Sequence, residues 1–317
     1  MYHDLTTDAV RAAQLVNYFS AAGMAIMIAD YLHTLPQEVR LVWPTKMSIP
    51  KLIFLLVRYG NFLFAALVYL YALTPAPVLS SDGCRKMFIV IGILEVSLST
   101  FGEAIIYIRV WAFAGCDRKV LYILASIFLV LDVISFSFLG KYVTSVEVFQ
   151  AAPSTHLTCV CIGDDSVMVS VVYGIMVVSV VGLMAIMVGF GIYRYQEMGI
   201  RSAYGGLLAQ FYRDGIIYFV MLLVLNVLNI AIHVVGKHGF QYLLVKTQIY
   251  LHGMIAVRMV LHLRAYAEKD RYITLDSPGV AQSALVGFVM PEERIEVVPQ
   301  SEITDREVSR STLVAFP

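Results

Sequence analysis

Apolar residues run along this chain in seven blocks, each about 20 residues or longer and separated from the next by a polar stretch. The blocks are Ala12–His33, Leu52–Leu73, Met87–Trp111, Val120–Leu139, Val167–Tyr193, Ile216–Val235 and Tyr242–Leu263. A bilayer core of about 30 Å is crossed by about 20 helical residues, so every block is long enough to span it. A helix satisfies its own backbone in lipid, and the strict alternation of a barrel strand is absent. The pattern predicts an all-α bundle of seven transmembrane helices over residues 1–270. Beyond about Thr274 the apolar periodicity stops and Ser, Pro, Glu and Asp are scattered. That composition predicts a disordered cytoplasmic tail over 271–317.

Between the first two blocks, Thr34-Leu35-Pro36-Gln37 reads as a helix start. Thr34 supplies a cap, Gln37 completes a capping box and Pro36 suits a first turn. Leu35, Val39, Val42 and Trp43 then recur on one face, opposite Gln37, Glu38 and Arg40, which predicts a short helix lying in the membrane interface. Small residues in the first block (Ala21, Ala25, Ala29) and the fifth (Gly174, Gly182, Gly189, Gly191) suit close helix packing.

Composition agrees with lipid as the main solvent. Hydrophobic residues make up 59% of the chain and charged residues 15%, against about 25% charged in a soluble domain. The formal net charge is zero, so nothing points to a nucleic-acid partner. Cationic residues set the direction. Arg40, Lys46, Lys51, Arg118, Lys119, Arg194, Arg201, Arg213, Arg264, Lys269 and Arg271 fall on one side; Arg11, Arg85, Lys86, Lys141 and Lys237 fall on the other. The richer side is expected in the cytoplasm, with the N-terminus outside and the C-terminus inside. Asp4 and Asp8 precede Arg11, so the start lacks the basic region of a signal peptide.

The cysteines fit that direction. Cys84 precedes the third block and Cys159 and Cys161 lie between the fourth and fifth, all on the outside, where disulfides persist. A bridge from Cys84 to Cys159 or Cys161 would tie that loop over the bundle. Cys116 falls on the cytoplasmic side, where it is expected to stay reduced. Secretory routing and the plasma membrane follow as the expected location.

The segment Ala29-Asp30-Tyr31-Leu32-His33-Thr34-Leu35-Pro36-Gln37-Glu38-Val39-Arg40-Leu41-Val42-Trp43-Pro44, with Lys46 and Phe54 to Tyr59, is not generic membrane sequence. It resembles the signature, over about 19–63, of a fungal membrane family of mushroom-forming basidiomycetes, domain-of-unknown-function 6533. Glu103 to Ala112 and His252-Gly253 through Arg258-Met259 to Leu263-Arg264 are similar to that family as well, as is the cysteine before the third block. The resemblance implies a seven-helix membrane protein and supplies no activity.

Two sets of intramembrane polar residues remain. Asp30, Arg58, Glu103, Arg109 and Arg258 sit in the cytoplasmic half, where charges of opposite sign on neighbouring helices are expected to pair. Nearer the outside lie Glu95, Asp132, Asn226, Asn229, His233, Gln248 and His252. Asn226, Asn229 and His233 share a helix face by their i, i+3, i+7 spacing. Glu95, Asn226, Asn229, His233, Gln248 and His252 are candidates to line a pocket for a small-molecule or peptide ligand; helix-to-helix hydrogen bonding is the alternative. No cofactor or metal is expected. Lys246 lies too near the outer end for a retinal lysine, and His252 and His262 are about 15 Å apart along a helix, too far to share zinc. No Ser/His/Asp set or phosphate loop is legible, so an enzyme is not expected.

The layout of seven spans, outside N-terminus, tethered loop and Ser/Thr-bearing tail parallels that of G-protein-coupled receptors. It suggests a receptor-like sensor in the lipid bilayer, with the Arg194–Arg213 loop as a surface for a cytoplasmic signalling partner. A transporter or ion channel and a structural membrane protein are the alternatives.

Overall fold

The first helix is the longest and shows how the bundle is built. In a computed structural model, α1 runs unbroken over Tyr2–Leu41, and Ala12, Val16, Ser20, Gly23, Met27, Asp30, Thr34, Glu38 and Leu41 form its buried stripe. Steps of three and four are those of a helix with one face against its neighbours. Six helices follow: α2 (Ile49–Leu73), α3 (Ser81–Phe113), α4 (Arg118–Ser145), α5 (Ser166–Met198), α6 (Tyr204–Val235) and α7 (Val245–Asp276). A hairpin of β1 (Glu147–Gln150) and β2 (Cys159–Ile162) joins α4 to α5, antiparallel with Val148 opposite Cys161. The structure describes residues 2–73, 81–115, 117–145, 147–150, 159–162, 166–198, 204–236 and 239–276.

The ends of these helices carry their own signals. Ser48 accepts from Lys51 N at 3.4 Å and Pro50 occupies the first turn of α2, where its missing N–H costs nothing. Gly115 ends α3 at φ 89, the left-handed backbone that glycine adopts without strain. Asp117 then accepts from Lys119 N at 2.9 Å to cap α4. At the other end, a Cβ on Gly236 would stand 2.6 Å from Ile232 O and 2.8 Å from Gln241 N. Only glycine lets α6 turn that tightly into the 3-10 turn Phe240–Tyr242.

Contacts give the order of the helices. Phe19 with Thr247, Asp30 with Arg258 and Arg40 with Glu268 are each 228 residues apart, so α1 and α7 run parallel in constant register. Asn226 and Gln248 meet, as do Tyr218 and His262, so α6 runs against α7. Gly60 packs on Leu98, Gly102 on His252 and Gly253 on Asn61. α7 is thus enclosed by α1, α2, α3 and α6. One cluster around Phe54, Ile106, Val110, Phe219 and Met259 fills the end nearest the α1–α2 corner; another around Met27, Phe64, Ile91 and Tyr250 fills the end nearest the hairpin.

Large apolar side chains stand exposed around the rim, including Leu63, Tyr122, Val130, Val133, Val178 and Val224. Such a belt is stable only against lipid. Among the described residues six helices, α1 to α6, are long and apolar enough to cross a membrane. The chain is a multi-pass integral membrane protein.

Several expectations are corrected. Thr34 does not start a helix: its hydroxyl donates to Asp30 O at 2.8 Å and α1 continues through Pro36, so the separate interfacial helix is absent. Glu38, placed on the polar outer face, has no exposed surface, whereas Val39 and Trp43 are exposed. Ala21, Ala25 and Ala29 face away from the bundle, and Cβ atoms on Gly174, Gly182 or Gly189 would meet nothing within 4 Å. Close packing falls instead to Gly23, Gly60, Gly102 and Gly253. α7 is too polar along its length to count as a span by composition, because helices rather than lipid surround it. The Arg194–Arg213 loop is largely helical, with α5 reaching Met198 and α6 starting at Tyr204; 199–203 lie outside the described residues. α7 extends to Asp276, into the segment expected as tail, and 277–317 lie outside the described residues. The all-α expectation holds for the bundle, with one β hairpin added among the described residues.

Candidate functional site

The α1–α2 corner end concentrates charge. Glu38 of α1 pairs with Arg58 of α2 at 2.5 Å, both side chains buried. The other Glu38 oxygen accepts from Tyr59 OH at 2.9 Å and from Trp43 Nε1 at 3.2 Å. Arg58 Nη2 donates to Thr34 Oγ1 at 2.9 Å and to Tyr31 O at 3.3 Å, and the guanidinium stands 4.6 Å from the Tyr31 ring centre. This saturation matters, since dehydrating each ion costs several kcal/mol and only full hydrogen bonding offsets it. Arg258 of α7 reaches Asp30 at 2.5 Å with its own side chain half-exposed. Lys51 Nζ donates to Trp43 O and Thr45 O, and Arg264 Nη1 to Leu41 O and Thr45 Oγ1. Cations therefore close the carbonyl end of α1, where the helix dipole favours them.

Of the five charges expected in this layer, Asp30 and Arg258 meet each other, and Arg58 meets Glu38. Arg109 lies buried with its guanidinium 6.0 Å from the Tyr218 ring centre. Glu103 is placed nearer mid-bundle, in the field of Asp132 from α4, and Asp132 accepts from Thr100 at 3.0 Å. His252 lies buried at the same level against Gly102, and Tyr107 OH meets Ser179 Oγ at 3.0 Å.

The hairpin end is amide-rich. Gln248 of α7 sits between two asparagines of α6: its Nε2 donates to Asn226 Oδ1 at 2.8 Å, and its Oε1 accepts from Asn229 Nδ2. Asn226 and Asn229 also donate to the Leu222 and Leu225 carbonyls at 2.9 and 3.1 Å. His233 Nδ1 lies 2.9 Å from Asn229 O, and its ring is flanked by Tyr173 at 5.4 Å and Tyr242 at 6.4 Å between centres. Tyr142 OH donates to Tyr242 OH at 2.7 Å. Glu95 of α3 is half-buried in the field of Lys246, within electrostatic range of Tyr173 and Tyr250. Four residues expected around a pocket (Asn226, Asn229, His233 and Gln248) thus form one connected ladder. Glu95 lies beside it through Tyr173, and His252 lies deeper. Buried polar atoms without a hydrogen-bond partner among the described residues include Asn229 Oδ1, His233 Nε2, His252 Nε2 and Asn61 Oδ1.

Cys84 is buried near the start of α3, and β1 packs against α3. The side chains of Cys159 and Cys161, and Cys116 altogether, lie outside the described residues, so the expected bridge does too.

Residues 18–63 match the profile of a family of unknown function, DUF6533. The matched segment carries Asp30, Thr34, Glu38, Trp43, Lys51, Arg58 and Tyr59, the α1 and α2 share of the corner network. No curated protein matches the chain.

Glu38, Tyr59, Arg264 and Tyr173 were not among the candidates. Glu38 was legible: Asp30, Thr34 and Glu38 follow i, i+4, i+8, one face of a helix that continues through Pro36. Arg264 and Tyr173 gave no such signal, because their partners are far away in sequence.

Proposed function

We propose that this chain is a receptor-like sensor of seven transmembrane helices, N-terminus outside, in the plasma membrane. Its ligand site lies at the hairpin end and its response at the α1–α2 corner. The observation that carries the reading is the pair of buried acceptors, Asn229 Oδ1 and His233 Nε2, without a partner among the described residues, in an otherwise saturated ladder. Polar atoms left without partners in a buried site are costly, and a ligand donor offsets that cost. Enclosure of α7 by four helices supports a seventh crossing, since polar residues there face protein rather than lipid. A disulfide from Cys84 to the hairpin would hold the outer mouth. No catalytic set is proposed.

α7 touches both ends of the bundle, so a ligand that shifts it at Gln248 acts on Asp30–Arg258 as well. The test uses protein in nanodiscs with spectroscopic labels at the corner ends of α1 and α6. A ligand bound at the hairpin end is expected to change their distance; bound ligand with no change ends the sensor reading. Ion or solute flux in proteoliposomes, abolished by Glu95→Gln or Glu103→Gln, would establish a transporter instead. A structural role is the second reading, favoured by the mutual satisfaction of Asn226 and Gln248. It expects His233→Phe to alter stability alone.

A further inference from the structure

We infer that the junction of α5, α6 and the α6–α7 turn binds the hydroxyl of a neutral, largely apolar alcohol. The inference rests on the sensor reading and names the class of molecule sensed. His233 Nδ1 lies 2.9 Å from the Asn229 carbonyl oxygen, which only accepts, so the ring proton sits on Nδ1 and Nε2 is an acceptor. That atom is buried with no partner among the described residues. One turn deeper, both hydrogens of the Asn229 amide are engaged, by Leu225 O and Gln248 Oε1. Its Oδ1 is the second buried acceptor without a partner. The two residues are i, i+4 on one helix face.

Two acceptors select a donor and disfavour an anion, which would face two lone pairs. A cation is disfavoured because Lys246 already opposes Glu95, the acid that acts on Tyr173. A neutral O–H fits. The Tyr173 and Tyr242 rings beside His233 suit an apolar body behind that hydroxyl. Water offers two such donors, but it gains nothing from the aromatic wall.

The test compares n-octanol with its isomer methyl heptyl ether, which only accepts hydrogen bonds, and with n-octylamine. Full-length protein in nanodiscs is used, wild type and His233→Phe. A hydrogen bond to a buried acceptor is worth about tenfold in affinity, so n-octanol is expected to bind about tenfold tighter than the ether. The preference falls to parity in His233→Phe. In wild type with isotope-labelled histidine, n-octanol and not the ether moves one ring-nitrogen resonance. The wild-type comparisons stand even where the variant fails to fold. Equal binding of alcohol and ether, preference for the amine, or a resonance already hydrogen-bonded to water and unmoved by n-octanol overturns the proposal. These outcomes differ from failure of the sensor reading, in which n-octanol binds but the corner-end distance stays fixed.

Discussion

Glu38 and Arg58 set the largest single-residue stakes in this protein. Removing the acid in Glu38→Ala leaves a buried guanidinium without its counter-charge. The expected loss is about 3–5 kcal/mol, read from reversible unfolding in mixed micelles. Glu38→Gln keeps an acceptor for Tyr59 and Trp43 and is expected to lose less. Arg40→Ala also breaks an ion pair, to Glu268 at 2.9 Å, but the Arg40 side chain is exposed. Its loss is expected to stay under about 1 kcal/mol and to shrink in high salt. Equal effects of Glu38→Ala and Arg40→Ala would sink the burial argument. Glu38 was readable from spacing with Asp30 and Thr34, but Pro36 masked it by suggesting a helix start. In lipid, an internal proline costs less than exposing a backbone break, so the helix runs on.

Among the helices, α7 is held by α1, α2, α3 and α6, while α4 and α5 pack on α3 and α6, and α1 and α7 run side by side. Their register predicts a measurable coupling: a double-mutant cycle of Asp30→Asn and Arg258→Gln is expected to give about 1 kcal/mol, reduced by the half-exposure of Arg258. Additivity of the two substitutions would argue against the pair. Glycine positions test the packing in the opposite sense. Gly253→Ala is expected to destabilise by about 1–3 kcal/mol, since its methyl would press on Asn61, a buried neighbour. Gly182→Ala, with nothing within 4 Å, is expected to be neutral or to gain up to about 1 kcal/mol from helix propensity. Thermal unfolding of the two variants side by side separates them. Which glycines approach a neighbour was not legible, because five of the seven blocks carry glycine and only the docked bundle tells lipid-facing from helix-facing.

For the whole molecule, the decisive property is how each helix meets lipid. α4 shows lipid a long run of apolar side chains, whereas α7 carries Gln248, His252 and Arg264 into the bundle interior. In an insertion assay on isolated segments, α4 is expected to insert efficiently and α7 poorly. Within the full chain both are expected to cross, read by labelling cysteines placed in the hairpin and beyond Asp276. Labelling of both from the same compartment would remove the seventh crossing and the assigned directions.

Length and hydropathy alone determined that this chain lives in a bilayer as helices, because lipid penalises any unsatisfied backbone and leaves few other forms. The cationic bias suggested a direction, and single-helix spacing grouped Asn226, Asn229 and His233 on one face. Only tertiary structure decided which polar residues meet: Glu38 rather than Glu103 for Arg58, Gln248 between two asparagines, Arg264 over the end of α1. Those choices depend on separate helices coming side by side, from 19 residues apart for Asn229 and Gln248 to 223 for Leu41 and Arg264. The pull of one side chain on another falls off over a few ångströms of space, and separation along the chain says little about that distance.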